Sequence, residues 1–368
     1  MRILHVFRTP VGGLFRHVRD LARGQAALGH EVGLFCDSST GGEFGDALID
    51  AVRPYCSLGI TRVPISKMPG LGDLRCSQTV KKTAQDLSID IIHGHGAKGG
   101  LYGRVAAKLS GIKSVYSPHG GSLHYNWASA TGLVFLGTEW ALGYAGDGFV
   151  FVCEFEKNLF AKKIGLAGKP SRVVHNGLWP EEFERPRLKS DATDLLFVGE
   201  MRMLKGVDVL LGAIAELNKS APVTATLVGE GESLERFKNL AHQLGIQDRV
   251  RFVGRLGIAE ALTLGKLMVL PSRNESFPYV VLETLAAATP IVASDVGGIG
   301  EILPDKMLVP PGDIQALSAK LRVRLNSGPE DSAKLVEYAK TAFSASHMVK
   351  KITAFYGEVC AKTERQLL

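Results

Sequence analysis

One pattern limits what this 368-residue chain can fold into. Short β-branched and aliphatic runs alternate with longer amphipathic segments, and the alternation occurs twice. Such alternation marks βαβ units, in which crossover helices join parallel strands. In the first half, strands are expected over residues 2–7, 31–36, 89–93, 114–117 and 148–152. Residues 14–28 place Val18, Leu21, Ala22 and Leu28 near helical spacing, with Gly29 as a stop signal. Residues 175–192 are polar, hold Pro180 and Pro186 and have no periodic apolar face, so they read as a linker or hinge. A second series follows at 194–198, 223–228, 250–253, 266–270 and 290–293, and residues 348–361 read as a last amphipathic helix. The expected fold is α/β, with two open parallel-sheet domains divided near residue 180. Ligands in such sheets sit beyond the carboxyl ends of the strands, so the cleft between the domains is the expected site.

Composition excludes several classes. With 45% hydrophobic and 22% charged residues the chain is neither disordered nor fibrous. The five cysteines (Cys36, Cys56, Cys76, Cys153 and Cys360) are odd in number, scattered and free of any C-x-x-C pair. That speaks against a disulfide framework or zinc ribbon and for a reducing compartment. The most apolar stretch, residues 132–153, is broken by Glu139, Trp140 and Asp147 and is too short of clean apolar residues to span a bilayer. The opening MRILHVFRTPVGG has too brief an apolar run for a signal peptide. A soluble, cytoplasmic protein is expected. Residues 1–180 hold 20 Lys+Arg against 13 Asp+Glu, and residues 181–368 hold 23 against 24. The basic first half is either an ordinary solvated surface or faces something anionic. No basic block or recognition motif points to nucleic acid, whereas an anionic membrane face stays open as a partner.

The densest chemical signal is PSRNESFPYVVLET, residues 271–284, after an apolar strand and leading into a helix. Pro278 suits the first helical turn, with Glu275 on the loop before it and Glu283 in the second turn. Backbone N–H groups at such a terminus favour an anion. The two carboxylates would repel that anion and suit sugar and ribose hydroxyls instead. Taken alone, two Glu at this spacing would be a solvated loop and helix face. GEMRMLKG, residues 199–206, puts Arg202 and Lys205 in a glycine-bounded strand–helix turn, apt for a diphosphate. Gly12 and Gly13 follow the first strand, where backbone N–H groups can approach a phosphate. His119 follows a strand beside Gly120 and Gly121 in a cleft-facing type of turn. His93 and His95 end another strand; with no local carboxylate or Cys, a structural role is expected for them and no metal site. No Asp-x-Asp clamp for a divalent metal occurs. GEGESL lacks the third glycine of a dinucleotide fingerprint, and neither a Walker A string nor a nucleophile elbow is present.

In this order, GGLFRHVRDLA, HGH…GLYGR, SPHGG, VVHNGLWPEEF, FVGEMRMLKGVDVLLGA, LVGEGES, VRFVGR and the Glu-x7-Glu string of Glu275 and Glu283 cover nearly the whole chain. They resemble the retaining, nucleotide-sugar-dependent glycosyltransferases of glycosyltransferase family four. The resemblance implies the GT-B fold: two Rossmann-like open parallel-sheet domains facing a central cleft, 1–180 for the acceptor and 181–347 for the donor, with the helix of about 348–368 crossing back. It implies that Glu283 binds the donor ribose and Glu275 the transferred sugar. Arg202 and Lys205 would hold the diphosphate, helped by N–H groups near Phe277, Pro278, Tyr279 and Val280 and by Gly12 and Gly13. His119 would contact the donor sugar, and the base would rest near Gly254 and Arg255. One departure stands out: where the family often has Arg directly after the glycine of the phosphate turn, this chain has Glu200, and Arg202 follows two places later. The reaction expected is metal-free, cofactor-free transfer of a hexose to a saccharide or lipid-linked saccharide in surface polysaccharide or lipopolysaccharide synthesis. Tyr125 and Trp127, in the loop after His119, could stack on a sugar, meet lipid or cap a core. The alternatives are a nucleotide-sugar 2-epimerase on the same fold and a non-catalytic sugar-binding protein, with a dinucleotide oxidoreductase last.

Overall fold

The computed structural model describes residues 1–327 and 332–364. The chain divides into two compact units: Met1–Asn176 together with the chain from Ala345 onward, and Gly177–Ser344. The division thus falls at Asn176, inside the segment read as a linker. That segment is less free than its polarity suggests, since Asn176 and Leu178 are buried.

The first unit holds one seven-stranded sheet. Its strands are β1 (Arg2–Val6), β2 (Glu31–Asp37), β3 (Ile60–Val63), β4 (Ile91–His95), β5 (Lys113–Ser117), β6 (Gly148–Phe151) and β7 (Ser171–Val173), in the order β3-β2-β1-β4-β5-β6-β7. Every pairing is parallel. Both faces are covered by helices, so strands such as β2 read as continuous apolar runs. Side chains alternate across β1. Leu4 and Val6 pack with Ile92, Tyr102 and Ala106, while Phe7, just beyond the strand, packs with Phe15, Val18 and Leu34.

The helix Gly12–Ala27 contributes Phe15, Val18 and Ala22 to that second layer. It ends where Gly29 takes φ +79°, with the His30 N–H donating back to the Gln25 carbonyl, a Schellman-type stop. The helix Ala345–Glu364 returns to this unit, burying Met348, Val349, Ile352, Phe355, Tyr356 and Val359 along one face. The expected return of this helix covered residues 348–368, of which 365–368 lie outside the described residues. A buried ion pair sits beside the sheet. Arg104 donates to Glu139 at 2.6 Å and lies over the Tyr116 ring, whose hydroxyl donates to the same carboxylate.

The second unit holds a six-stranded sheet: β8 (Thr193–Val198), β9 (Ala225–Val228), β10 (Val250–Phe252), β11 (Gly265–Leu270), β12 (Ile291–Ser294) and β13 (Leu308–Val309). The order is β10-β9-β8-β11-β12-β13, again parallel throughout. Its core combines Leu195 and Phe197 of β8 with Val207, Leu210, Leu211 and Ile214 of the following helix. The order of strands reverses between β1 and β4 in the first sheet and between β8 and β11 in the second. Those are the switch points at which open sheets bind ligands.

Candidate active site

At the switch point of the second sheet, the loops that follow β8 and β11 meet. Lys205 and Glu275, seventy positions apart, close on one another with Nζ 2.6 Å from Oε1. The buried Ser272 hydroxyl donates to the same carboxylate oxygen at 2.7 Å. Glu275 is largely buried, with 9% of its side chain exposed against 26% for Lys205. A buried carboxylate held by an ammonium and a hydroxyl is fixed in orientation. The two loops are also stapled by Arg273, whose guanidinium forks across both oxygens of Asp208 at 2.7 Å while its N–H donates to the Leu204 carbonyl. That pair raises the Arg273 pKa further above its ordinary value.

Two glycines permit the closeness. Gly206 has φ +67° and a Cβ there would collide with the Pro271 carbonyl; Gly297 has φ +61° and a Cβ there would collide with the Glu275 carbonyl. The loop after β12 is fastened by Gly298, whose N–H donates to the Ser276 carbonyl at 2.7 Å.

The remaining expected residues gather around this pair. Arg202 lies between two carboxylates, 3.4 Å from Glu200 and 3.8 Å from Glu232, with 43% of its side chain exposed. The displaced arginine is therefore engaged by its own loop and by the loop after β9. That second loop is tied to the first by the Met201 N–H donating to the Glu230 carbonyl. Gly254, with φ +70°, accepts from the Gly229 N–H, and Arg255 comes 3.9 Å from Glu230. Pro278 is not in the first helical turn as expected. It is the N-cap, with extended backbone at φ −76° and ψ 126°, and the helix runs Tyr279–Ala286. Proline's fixed φ suits the cap as well as the turn, and its missing N–H lies outside the helix ladder in both places. Phe277 and Tyr279 are buried, Val280 and Glu283 half-buried. A cavity lined by Asp194, Val223, Lys266 and Arg322 opens at the opposite, amino-terminal ends of these strands. Asp194 is there committed to Lys266 and Thr224.

In the first unit, Gly12 takes φ +79° and opens the helix together with Gly13. His119 sits at φ +51°, a left-handed conformation costly for a histidine. The next residue holds it there: the Gly120 N–H donates to the buried Glu156 carboxylate at 2.5 Å. His119 does not stand alone. His5 of β1, His17 of the first helix, His93 and His95 of β4, and His119 after β5 form one cluster at the switch point of this sheet.

Burial keeps the cluster neutral. His5 and His17 are pushed from 6.5 down to about 4 by desolvation, against the opposing bonds of Gln25 and Asn176. Desolvation, with repulsion from neighbouring rings, holds His93, His95 and His119 well below the ordinary imidazole value. Sequence reasoning missed His5. The signal lies in the pairing of two strands that the sequence already marks, since β1 and β4 put His5 in register with His93. Tyr125 stacks on Phe135 at 4.6 Å, while the Trp127 indole N–H donates to the Lys163 carbonyl and the ring is part exposed.

Comparison with known proteins bears on both units. Residues 11–182 match the family model described as Glycosyltransferase Family 4, and residues 180–342 match Glycosyl transferases group 1. The chain is 31% identical over 334 residues to D-inositol 3-phosphate glycosyltransferase 2 of Catenulispora acidiphila, covering 80% of this chain and 76% of that one. It is 28% identical over 341 residues to the glycogen synthase of Mycobacterium tuberculosis, covering 85% and 82%. Among solved structures, Anabaena HepE in complex with UDP and glucose superposes with a TM-score of 0.82 at 20% identity, over 97% of this chain and 100% of that one. Sucrose-phosphate synthase from Thermosynechococcus elongatus gives 0.80 at 21%, over 98% and 100%. The two parallel-sheet units are those of the GT-B fold.

Proposed function

Because the chain belongs to the group 1 glycosyl transferases of glycosyltransferase family 4, we propose that it transfers a hexose, with retention and without a metal, from a nucleotide-diphosphate sugar to a saccharide or lipid-linked saccharide. The observation that carries this reading is the Lys205–Glu275 pair at the switch point of the second sheet. Breaking the anomeric C–O bond leaves negative charge on the diphosphate. A positioned ammonium and the N-terminus of the helix Tyr279–Ala286 stabilise that charge as it develops.

Lys205 and Arg202 hold the diphosphate in this proposal, Glu275 the sugar hydroxyls and Glu283 the ribose. Gly254 and Arg255 border the base, and Gly12 and Gly13 offer N–H groups to phosphate. His119 contacts the transferred sugar. The acceptor oxygen forms its bond to the anomeric carbon on the face the leaving group departs. Its proton passes to the departing phosphate oxygen. In thermal-shift measurements against UDP-, GDP- and ADP-sugars, one donor class should raise stability by about 2.7 kcal/mol at 100 times its Kd, in EDTA as in Mg²⁺. A shift that vanished in EDTA would overturn the metal-free reading, and no shift with any nucleotide sugar would overturn the donor.

The acceptor side belongs to the first unit in this reading, and we extend it to an anionic membrane surface. No described helix is long and apolar enough to cross a membrane. The helix Ala130–Gly143, however, presents Leu133, Val134 and Trp140 more than half exposed, followed by Tyr144. Apolar and aromatic side chains on a basic unit suit an interfacial contact. The protein should sediment with vesicles containing anionic lipid, and less so as the Debye length shrinks from about 10 Å at 0.1 M to 3 Å at 1 M salt. Sedimentation indifferent to salt, or absent, would refute the attachment.

A further inference from the structure

The histidine cluster contains a directed chain of hydrogen bonds. Gln25 Oε1 lies 2.8 Å from His5 Nε2, His5 Nδ1 lies 3.0 Å from His95 Nε2, and His95 Nδ1 lies 3.1 Å from His119 Nε2. A carbonyl oxygen only accepts, so His5 carries its proton on Nε2 and its Nδ1 is bare. His95 Nε2 must then donate to that lone pair, which leaves His95 Nδ1 bare. His119 Nε2 must donate in turn, and the proton it spends there leaves His119 Nδ1 as an acceptor.

The chain requires each ring to hold a single proton. Burial supplies that condition for His5, and burial with ring–ring repulsion supplies it for His95 and His119. A second branch keeps His93 out of the sequence: its two nitrogens are taken by the Tyr356 hydroxyl at 2.5 Å and the Ser117 hydroxyl at 2.9 Å.

We propose that Gln25, His5 and His95 are positioning residues that fix the tautomer of His119, so that His119 meets its substrate with a bare Nδ1. Such a nitrogen accepts from a saccharide hydroxyl and has nothing to offer a phosphate oxygen, which also only accepts. The inference rests on the proposal that His119 contacts the transferred sugar and narrows it to a hydroxyl of that sugar. The competing use of the same rings is a metal. His5, His93 and His95, or His17, His95 and His119, bring ligand atoms within 4.8 Å of one another. Both His93 nitrogens are occupied, and the His95 lone pair is spent on His119, so the hydrogen-bonded chain is the arrangement the geometry favours.

The test is ¹⁵N-histidine NMR on the full chain without ligand, with His119 assigned by loss of its signals in His119→Gln. The expected wild-type signature is a protonated Nε2 and a bare Nδ1 on His119. Gln25→Met, which keeps the length and removes the acceptor, should scramble that tautomer; Gln25→Glu, which keeps an acceptor, should retain it. Transfer by Gln25→Met should fall about tenfold in kcat, the worth of one hydrogen bond in the transition state, and recover in Gln25→Glu. A Gln25→Met spectrum identical to wild type overturns the relay. So does stoichiometric Zn²⁺ binding that displaces the imidazole protons. Should Gln25→Met not fold, the wild-type spectrum decides alone, because a proton on His119 Nδ1 contradicts the direction of the chain. A scrambled tautomer with unchanged kcat would uphold the relay and overturn the sugar contact assigned to His119.

Discussion

With Lys205 replaced by alanine, kcat for sugar transfer falls 100- to 1,000-fold, a loss of roughly 3–4 kcal/mol of transition-state stabilisation. The loss appears in kcat more than in KM, since in the role proposed for Lys205 the charge it meets is greatest as the glycosidic bond breaks. Its ammonium is already in place, 2.6 Å from Glu275 and braced by the Arg273–Asp208 fork below the turn. Alanine also strips the largely buried Glu275 of its cation, leaving the Ser272 hydroxyl. The two positions are therefore coupled. A double variant with Glu275→Gln should be less impaired than the product of the single losses predicts. Arginine at 205 should restore little, because its planar fork does not reproduce a point charge at the end of a short turn. Steady-state kinetics on Lys205→Ala, Glu275→Gln, the double variant and Lys205→Arg read this out. A loss below threefold for Lys205→Ala would remove the residue from the chemistry.

The first unit should lose stability steeply in mild acid. His5 and His17 titrate at 6.5 in the unfolded chain and at about 4 when folded, so the unfolded state binds more protons between those values. Stability is full above pH 6.5 and declines as pH falls toward 4, by about 1.4 kcal/mol per unit for each of the two. His93, His95 and His119, displaced in the same direction, add to the slope. Among the described residues, the non-histidine side chains hydrogen-bonded to these rings are uncharged: Gln25, Asn176, Ser117 and Tyr356. None of these neutral partners compensates an incoming proton. Thermal melts from pH 7.5 to 4.5 should show the loss, and His17→Gln should flatten it. A melting temperature level across that range would mean that the rings do not titrate as a buried set.

Local pattern carried most of the fold. The strands expected at 31–36, 148–152 and 266–270 match β2, β6 and β11 to within a residue at each end. Expected strand 89–93 is instead Ile91–His95, because β4 runs on until Gly96 turns the chain into a helix. The strands that escaped, β3, β7 and β13, are four, three and two residues long and lie at or near sheet edges, too brief for alternation to register. In the second unit, the residues singled out lie in the connections that follow β8, β10 and β11, so the doubly wound order brings them to one end of the sheet. The Arg273–Asp208 staple was invisible, because nothing local marks an arginine that folds back on a preceding helix. The histidine chain was illegible for the same reason. His93 and His95 looked structural when read alone, and only strand pairing brings His5, 90 residues away from His95, into the same line.

The return of the helix Ala345–Glu364 to the first unit imposes an order on synthesis. Val349 presses on Gly24, Phe355 and Val359 on Gly148, and Tyr356 supplies the hydroxyl bonded to His93. All of these partners leave the ribosome before the 168 residues of Gly177–Ser344 have been made. At about 5–20 residues per second, that interval is of the order of ten to thirty seconds. Throughout it, the half of the protein that emerges first waits without the helix that covers Gly24, Gly148 and His93, while the half that emerges second can already close. A nascent chain stalled before residue 345 thus leaves exposed the apolar surface of the first unit that this helix covers.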